Sequence, residues 1–341
     1  MSAAHPPPPH PAAAVLLALW DARGREVPMR ELLRQSGASL PQAQKALDDL
    51  AARGCRIERT PGGVCLVTTD LSSWRELVPA LARRNGWRLG RQVAVHPEIA
   101  STNDAAWQAA GTADADGLVA LADHQTAGRG RLGRAWHARA GQSVLMSILL
   151  HGVKAETLDR LTLLAGLATA VGIEHAVESA QGALAGGARV EIKWPNDLLV
   201  GGRKLAGILV EARKLAAPRG AIDAAVVGIG INVAQGPADF PPELGRSAIS
   251  LFQAAGLILD RLRVVEAVLA SLDAHLSREP TDDWLAPWKA RCAMLGRRVT
   301  ARQGHRVITG QVLDVAPLHG LVVRDDQGAT HLLSARTCSI A

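Results

Sequence analysis

Tyrosine is absent from this 341-residue chain, and phenylalanine occurs only twice. Aromatic residues make up 3% and hydrophobic residues 48%, so leucine, valine, isoleucine and abundant alanine must fill the core. Cysteine is scarce as well: Cys55, Cys65, Cys292 and Cys338 are scattered and form no C-x-x-C pair. That spacing indicates neither a zinc site nor a disulfide framework, and a reducing cytoplasm is the simplest setting. Also lacking is an uninterrupted apolar run that would span a bilayer. The longest candidate, Leu161 to Val177, is broken by glycines and charges and reads as a buried helix. Residues 1–12 have no basic start and no apolar middle, which excludes a signal peptide and suggests a disordered tail. No Walker-A pattern occurs, which argues against a P-loop nucleotide hydrolase.

What the chain does have is a mild basic excess, a net charge of +6. This suits nucleic acid or acidic substrates and proves neither. Three arginines alternate with three glycines and a leucine in one stretch, Gly128 to Arg134, reading GRGRLGR. Its glycines leave room for close approach of a ligand. Its arginines carry forked N–H donors suited to carboxylates and phosphates. The stretch reads either as a clamp for a small, strongly anionic molecule or as a flexible basic surface loop. Gly128, Gly130 and Gly133 also spell G-x-G-x-x-G after an apolar run. But Arg129 and Arg131 are too large for a tight dinucleotide-binding turn, and no clear amphipathic helix follows.

Along the chain, Ala13 to Trp20 has helical apolar spacing, and Met29 to Gln35 repeats it. Ser39 is placed to cap a third helix that runs to about Arg53 and stops at Gly54. Two short strand-like runs, Cys55 to Glu58 and Val64 to Val67, flank a turn. Three helices and a hairpin over residues 13–70 have the layout of a winged helix-turn-helix. Gln42, Gln44 and Lys45 are then candidates for DNA contact, with Arg53, Arg56 and Arg59 as phosphate ligands. The alternative is a small helical regulatory domain. A connector with one helix, Trp74 to Arg84, occupies residues 71–90.

From residue 91 to 291 strands and helices mix. Val93 to Val95, Leu118 to Ala122, Ser143 to Leu150, Val190 to Ile192, Lys204 to Glu211 and Val226 to Val233 read as strands. Leu158 to Val177, Leu262 to Leu276 and Trp284 to Arg291 read as helices. Ser101-Thr102-Asn103-Asp104 opens a further helix, either as a plain cap or as a set of ligand donors. Lys193-Trp194-Pro195-Asn196-Asp197 is a polar turn that either only shapes the chain or frames a nucleotide and its metal. Asn232, the lone polar residue of an apolar run, must find partners, in the core or on a ligand. Residues 292–341 turn to short alternating runs separated by turns such as Asp325-Asp326-Gln327-Gly328, a small all-β domain.

Taken together, STN at Ser101–Asn103, Gln125, GRGRLGR, Trp136, KWPND at Lys193–Asp197, KLAGILVE at Lys204–Glu211 and GIGIN at Gly228–Asn232 resemble the biotin protein ligases of bacteria, specifically the bifunctional biotin operon repressor family. The resemblance covers nearly the whole chain. It implies an α+β fold: a winged helix-turn-helix, a central mixed β-sheet with helices related to class II aminoacyl-tRNA synthetases, and a C-terminal small β-barrel. It implies that biotin and Mg2+-ATP form biotinyl-5′-AMP, and that biotin then passes to a lysine of the biotin carboxyl carrier domain of acetyl-CoA carboxylase. Ser101, Thr102, Asn103, Gln125, Arg129, Gly130, Arg131 and Lys204 would bind biotin, with Lys204, Arg131 and Arg129 acting in catalysis. Trp136, Lys193, Asn196 and Asn232 would frame the nucleotide, and Asp197 the Mg2+. Operator DNA and a homodimer of the adenylate-loaded protein would be further partners. Lipoate ligases are a sister group that fits these motifs less well.

The chain departs from the family pattern at three places. Leu132 stands where an arginine is usual, the ending SARTCSIA lacks the usual Gly-Glu-x-Ser-Leu-Arg, and Gly62-Gly63-Val64-Cys65 lacks the lysine and aromatic of the usual wing. Asp48 and Asp49 also make the third helix less basic than a DNA reader would be.

Overall fold

The computed structural model describes residues 11–153, 158–217, 220–276, 283–316, 320–335 and 337–340. The chain divides into two compact units, one ending at Val95 and the other starting at His96. Of the expected tail, residues 1–10 lie outside the described residues, and Pro11 and Ala12 open the first helix.

The first unit holds α1 (Pro11–Asp21), α2 (Met29–Ser36), α3 (Leu40–Ala52), β1 (Arg56–Thr60), β2 (Gly63–Thr68) and α4 (Leu71–Asn85). Leu16, Leu19 and Trp20 of α1, Leu32 of α2 and Leu47 and Leu50 of α3 form its core. Ser39 opens α3 in a capping box, its backbone N–H donating to Gln42 Oε1 at 2.9 Å. β1 and β2 pair as an antiparallel hairpin. Asp70 caps α4 by accepting from the Ser72 and Ser73 amides, and α4, the expected connector helix, packs on α1.

The second unit is built on a seven-stranded sheet. Its elements are β3 (Val93–Ile99), α5 (Thr102–Ala109), β4 (Val119–Gln125), β5 (Ser143–His151), α6 (Leu158–Ser179), β6 (Glu191–Lys193), β7 (Asp197–Val200), β8 (Arg203–Ala217), β9 (Gly220–Asn232), α7 (Leu251–Ala255), α8 (Arg261–Leu276) and α9 (Leu285–Arg291). The strand order is β3-β4-β5-β9-β8-β7-β6. β4 through β6 pair antiparallel. β3 leaves β4 in the same direction, with the amides of Thr126 and Ala127 donating to the carbonyls of Ile99 and Ala100, so the sheet is mixed. α5 packs on one face through Ala105, Ala106 and Trp107 against Ala120, Leu149 and Val226. α6 and α8 pack on each other and on β5, β8 and β9. Covered on both faces, β5 is buried from Ser143 to Leu150, which explains its unbroken apolar run. By length and composition α6 would span a bilayer, but 72% of its apolar stretch is buried within the fold.

The last strands are β10 (Arg298–Gln303), β11 (Arg306–Ala316), β12 (Gly320–Asp325), β13 (Thr330–Leu333) and β14 (Cys338–Ile340). They form an antiparallel sheet in the order β13-β12-β11-β10-β14. Where a closed small barrel was expected, this sheet is open: among the described residues β13 and β14 are its two edges. β14 is only three residues long and pairs with β10, leaving nothing to close against β13. β7, α7 and β14 were not foreseen. Each has five residues or fewer, too short for a period to show.

Two glycines of α6 make opposite predictions. A Cβ on Gly172 would lie 2.6 Å from Val268 Cα of α8, whereas one on Gly166 meets nothing within 4 Å. Gly166→Ala should stabilise the protein by about 0.5–1 kcal/mol through helix propensity. Gly172→Ala should cost about 1–3 kcal/mol because the two helix backbones must part. Urea unfolding of both variants checks this, and shifts of the same sign would contradict it.

Candidate active site

One cavity of about 440 Å³ opens on the α5 side of the sheet. Into it come the start of α5, the end of β4, the loop 128–136, the β6–β7 turn, the start of β8, the end of β9 and β14. Ser101, Thr102, Asn103, Gln125, Arg129, Gly130, Arg131, Trp136, Lys193, Asn196, Asp197, Lys204 and Asn232, separated by up to 131 positions, all line it. Its size suits a small ligand with a nucleotide-sized extension. A second cavity of about 730 Å³ is lined by the same loop with residues of α6 and β8.

The loop is a closed strap. Gly130 N–H donates to Arg134 O at 2.7 Å, Trp136 N–H to Gly128 O at 2.9 Å, and Arg129 bridges Ala135. Its tip, Leu132, takes a positive φ of 55° and is 57% exposed. That conformation is rare for a leucine and marks local strain.

Trp136 lies on the sheet where the sheet is bare. Gly207 and Gly230 pair across β8 and β9. A Cβ on Gly230 would stand 2.5 Å from the Trp136 ring, and one on Gly207 3.1 Å from it. A Cβ on Gly228 would collide with the Asn103 amide. The glycines of GIGIN and KLAGILVE are thus the floor for two larger side chains. The Lys204 ammonium sits 5.5 Å from the Trp136 ring centroid. Trp136 Nε1 is buried without a hydrogen-bond partner, a donor available to a bound molecule.

The polar side chains fall into two groups. Some are left to meet a ligand. The Gln125 carbonyl oxygen accepts from the Thr102 amide at 2.7 Å and its hydroxyl at 2.9 Å, which turns the Gln125 NH2 group toward other partners. Lys204 Nζ lies 2.6 Å from Asp197 Oδ1, at the cavity wall. Others are already satisfied. Asn196 donates to Ile208 O at 2.8 Å and accepts from Arg131 Nη1 at 3.0 Å. Asn232 donates to Ile249 O at 3.1 Å and Lys204 O at 3.4 Å, and accepts from Gln235. Asn103 donates to Glu211 at 3.0 Å, while the Ser147 hydroxyl lies 2.6 Å from its oxygen. These three asparagines hold the cavity wall together.

The two strap arginines differ. Arg131 is half-buried and donates to Asn196, Ala335 O and Cys338 O. Burial pulls its guanidinium below the ordinary arginine value, opposed mainly by Asp197, yet it stays charged at any working pH. Arg129 instead forms a two-pronged pair with Asp104, both bonds at 2.8 Å, and lies 3.6 Å from Glu211. The Arg129 guanidinium in turn holds the Asp104 carboxyl below the usual carboxylate range.

Sequence reasoning read Asp104 only as one of a set of cap or ligand donors, and gave no role to Glu211, Ser147 or β14. Glu211 and Ser147 carried a readable signal: each is a polar residue in an apolar strand and so needs a buried partner. For β14 there was none. In the first unit, Gln42 caps α3, Lys45 pairs with Asp49 at 2.8 Å and Arg59 with Asp48 at 2.5 Å, while Gln44 is exposed on α3. Arg53 and Arg56 pair with Glu76 and Glu58.

The biotin/lipoate A/B protein ligase family model matches residues 95–232, the stretch that holds most of the cavity wall. The bifunctional ligase/repressor BirA of Bacillus subtilis is 34% identical over 252 residues, covering 72% of this chain and 74% of that protein. The biotin–[acetyl-CoA-carboxylase] ligase of Mycobacterium tuberculosis is 34% identical over 257 residues, 74% of this chain and 88% of that protein. Among solved structures, the biotin protein ligase of Aquifex aeolicus in complex with biotin and ATP superposes with a TM-score of 0.61 at 27% identity, over 74% of this chain and 99% of that one.

The Arg129–Asp104 pair predicts an acid effect. Because the folded-state pKa of Asp104 is lowered, its contribution to stability is present above the unfolded value of about 4 and is lost as pH falls through the folded value. The gap in urea midpoint between the wild type and Asp104→Asn, small because the pair is partly exposed, should therefore narrow as pH falls below about 4. A gap constant with pH would show that the carboxylate's charge is not what Arg129 uses.

Proposed function

The chain belongs to the biotin protein ligase family and is an ATP-dependent biotin–protein ligase, and from that premise we propose how its cavity carries out the reaction. The observation that carries the proposal is the convergence of five separated motifs on one cavity with two fixed cations, Arg131 and Lys204, in its wall. Biotin takes the end formed by Ser101, Thr102 and Gln125, where small donors and acceptors match a ureido ring. ATP lies toward Trp136, Lys193, Asn196 and Asn232. The biotin carboxylate then attacks the α-phosphorus, forming biotinyl-5′-AMP and releasing pyrophosphate. A lysine of the biotin carboxyl carrier domain of acetyl-CoA carboxylase next takes the biotinyl group, with AMP leaving.

The first step brings an anion onto a polyanion. Two like unit charges about 4 Å apart repel by roughly 4 kcal/mol at an effective dielectric near 20. Arg131 and Lys204 are positioned before the reaction to offset this and to stabilise charge building on the phosphate. The strap excludes water from the mixed anhydride. Mg2+ fits here in one way. Among the described residues no three metal-ligating side chains cluster, and Asp197 is the carboxylate at the cavity wall. The ion would ride mainly on the triphosphate with Asp197 beside it, where it would neutralise phosphate charge.

A second activity is proposed for the first unit. Supporting it are three helices and a hairpin in the order a winged helix would need, and the Bacillus relative's name of ligase/repressor. The adenylate-loaded protein would bind operator DNA, as a homodimer, through the exposed face of α3 that carries Gln44 and Lys45. Gln42 has a competing role as the α3 cap. A cytoplasmic setting, which would supply ATP and a carrier domain, fits this reading.

Two experiments test these readings. Lys204→Ala should lower biotin transfer to a carrier domain by about 10²–10³-fold without loss of fold, as removal of a fixed electrostatic group does. Unchanged turnover would refute its role. Operator binding, measured by fluorescence anisotropy with biotin and ATP present, should weaken steeply between 50 and 200 mM salt. Absence of binding at the lower salt would leave the protein a ligase alone.

A further inference from the structure

Asp104 and Glu211 surround Arg129 in a way that stability does not explain. The Arg129 and Asp104 side chains are 38% and 37% exposed. Pairs so exposed contribute little to folding. What a two-pronged pair does provide is direction. Arg129 is the first arginine of the strap, and its own backbone bridges Ala135, next to Trp136. Fixing its side chain fixes both legs of the strap at once.

Glu211 extends the grip. One carboxylate oxygen accepts from Asn103 Nδ2 and Trp107 Nε1, each at 3.0 Å, and the other lies 3.6 Å from Arg129. It therefore connects α5, which carries Ser101 and Thr102, to the strap, which carries Gly130 and Arg131. The Arg213 guanidinium lies 4.6 Å from the centroid of the Trp107 ring on the same side. Two carboxylates face two guanidinium groups, so the cluster is neutral and self-contained.

We infer that Asp104 and Glu211 are positioning residues that hold the strap over the biotin end of the cavity, and that Arg129 belongs to this clamp and not to the phosphate. The inference deepens the ligase reading and rests on it for its kinetic consequence. Asp104 engages the end-on fork of Arg129, one N–H from each of Nη1 and Nη2. Arg131 and Lys204 remain as cavity cations for the reacting groups. A loosened clamp should weaken biotin capture while leaving the chemical step, once both substrates are bound, nearly intact.

The test is a charge swap in the full-length chain, with KM for biotin, KM for ATP and kcat measured on a carrier domain. Asp104→Arg and Arg129→Asp should each raise KM for biotin about tenfold, with kcat and KM for ATP within about threefold, and the double variant should regain most of the biotin affinity. Glu211→Gln should raise KM for biotin in the same selective way. If the double variant is no better than Arg129→Asp alone, or if kcat falls along with binding, Arg129 acts on the phosphate and the inference is overturned. A readout without turnover separates this from failure of the ligase reading. Tryptic cleavage at Arg131 and Arg134 should be faster in folded Asp104→Asn than in the wild type, both without ligand. Equal rates would overturn the clamp even if the enzyme proves fully active.

Discussion

A strap with three arginines in six residues repels itself, and the site depends on how that repulsion is contained. Arg129 is met by Asp104 and Glu211, Arg131 by Asn196 and two backbone carbonyls, and Lys204 on the facing strand by Asp197. Each of these three cations has acceptors behind it before any ligand arrives. Such preorganisation is what makes fixed charge useful in catalysis, since no reorganisation is left for the moment of reaction. It also means that the carboxylates nearest the cavity are committed to the protein's own cations. An incoming polyanion meets positive charge whose own counter-charges lie in the wall.

Containing charge in this way requires the groups to lie close together, and closeness requires small residues. Trp136 can press its ring on the sheet only because Gly207 and Gly230 leave bare backbone there. Asn103 can reach Glu211 only because Gly228 leaves space for its amide. α5 in turn sits close to the sheet through alanines. The scarcity of tyrosine and phenylalanine fits this architecture: backbones packed at short range have little room for rings, and eight of the ten present are tryptophans.

Most of this architecture was legible in the sequence, and the illegible parts have physical reasons. Long apolar periods marked α1, α3, α6 and α8, and unbroken apolar runs marked β5 and β9, because burial on one or both faces leaves a pattern. β7 and β14 left none, being too short to show a period. The cavity's members were readable as a set, since motifs rich in glycine, arginine and asparagine stand out from an aliphatic background. Their division of labour was not. Asn103, Asn196 and Asn232 look like ligand donors in sequence, but each amide is satisfied by the protein itself. Asp104, by contrast, looks like an ordinary first-turn acid in sequence, yet it grips the strap. Whether an amide or carboxylate faces a ligand or a neighbour depends on partners more than a hundred residues away, as with Asn103 and Glu211, and local sequence does not record them.

The altered carboxyl end shows the converse case, in which sequence departs and structure does not follow. SARTCSIA lacks the Gly-Glu-x-Ser-Leu-Arg ending usual in the family. Yet β14 pairs with β10 from Gln303 to Ala301 and forms part of the cavity wall. It meets the strap through the carbonyl of Cys338, and the segment before it through that of Ala335, both accepting from Arg131. A backbone acceptor is the same atom under any side chain. What such a contact demands is a strand in the right register, and that is set by pairing with β10 and by burial of Cys338. A site that grips its arginine through main-chain oxygens can tolerate a drifting terminal sequence as long as the strand still forms.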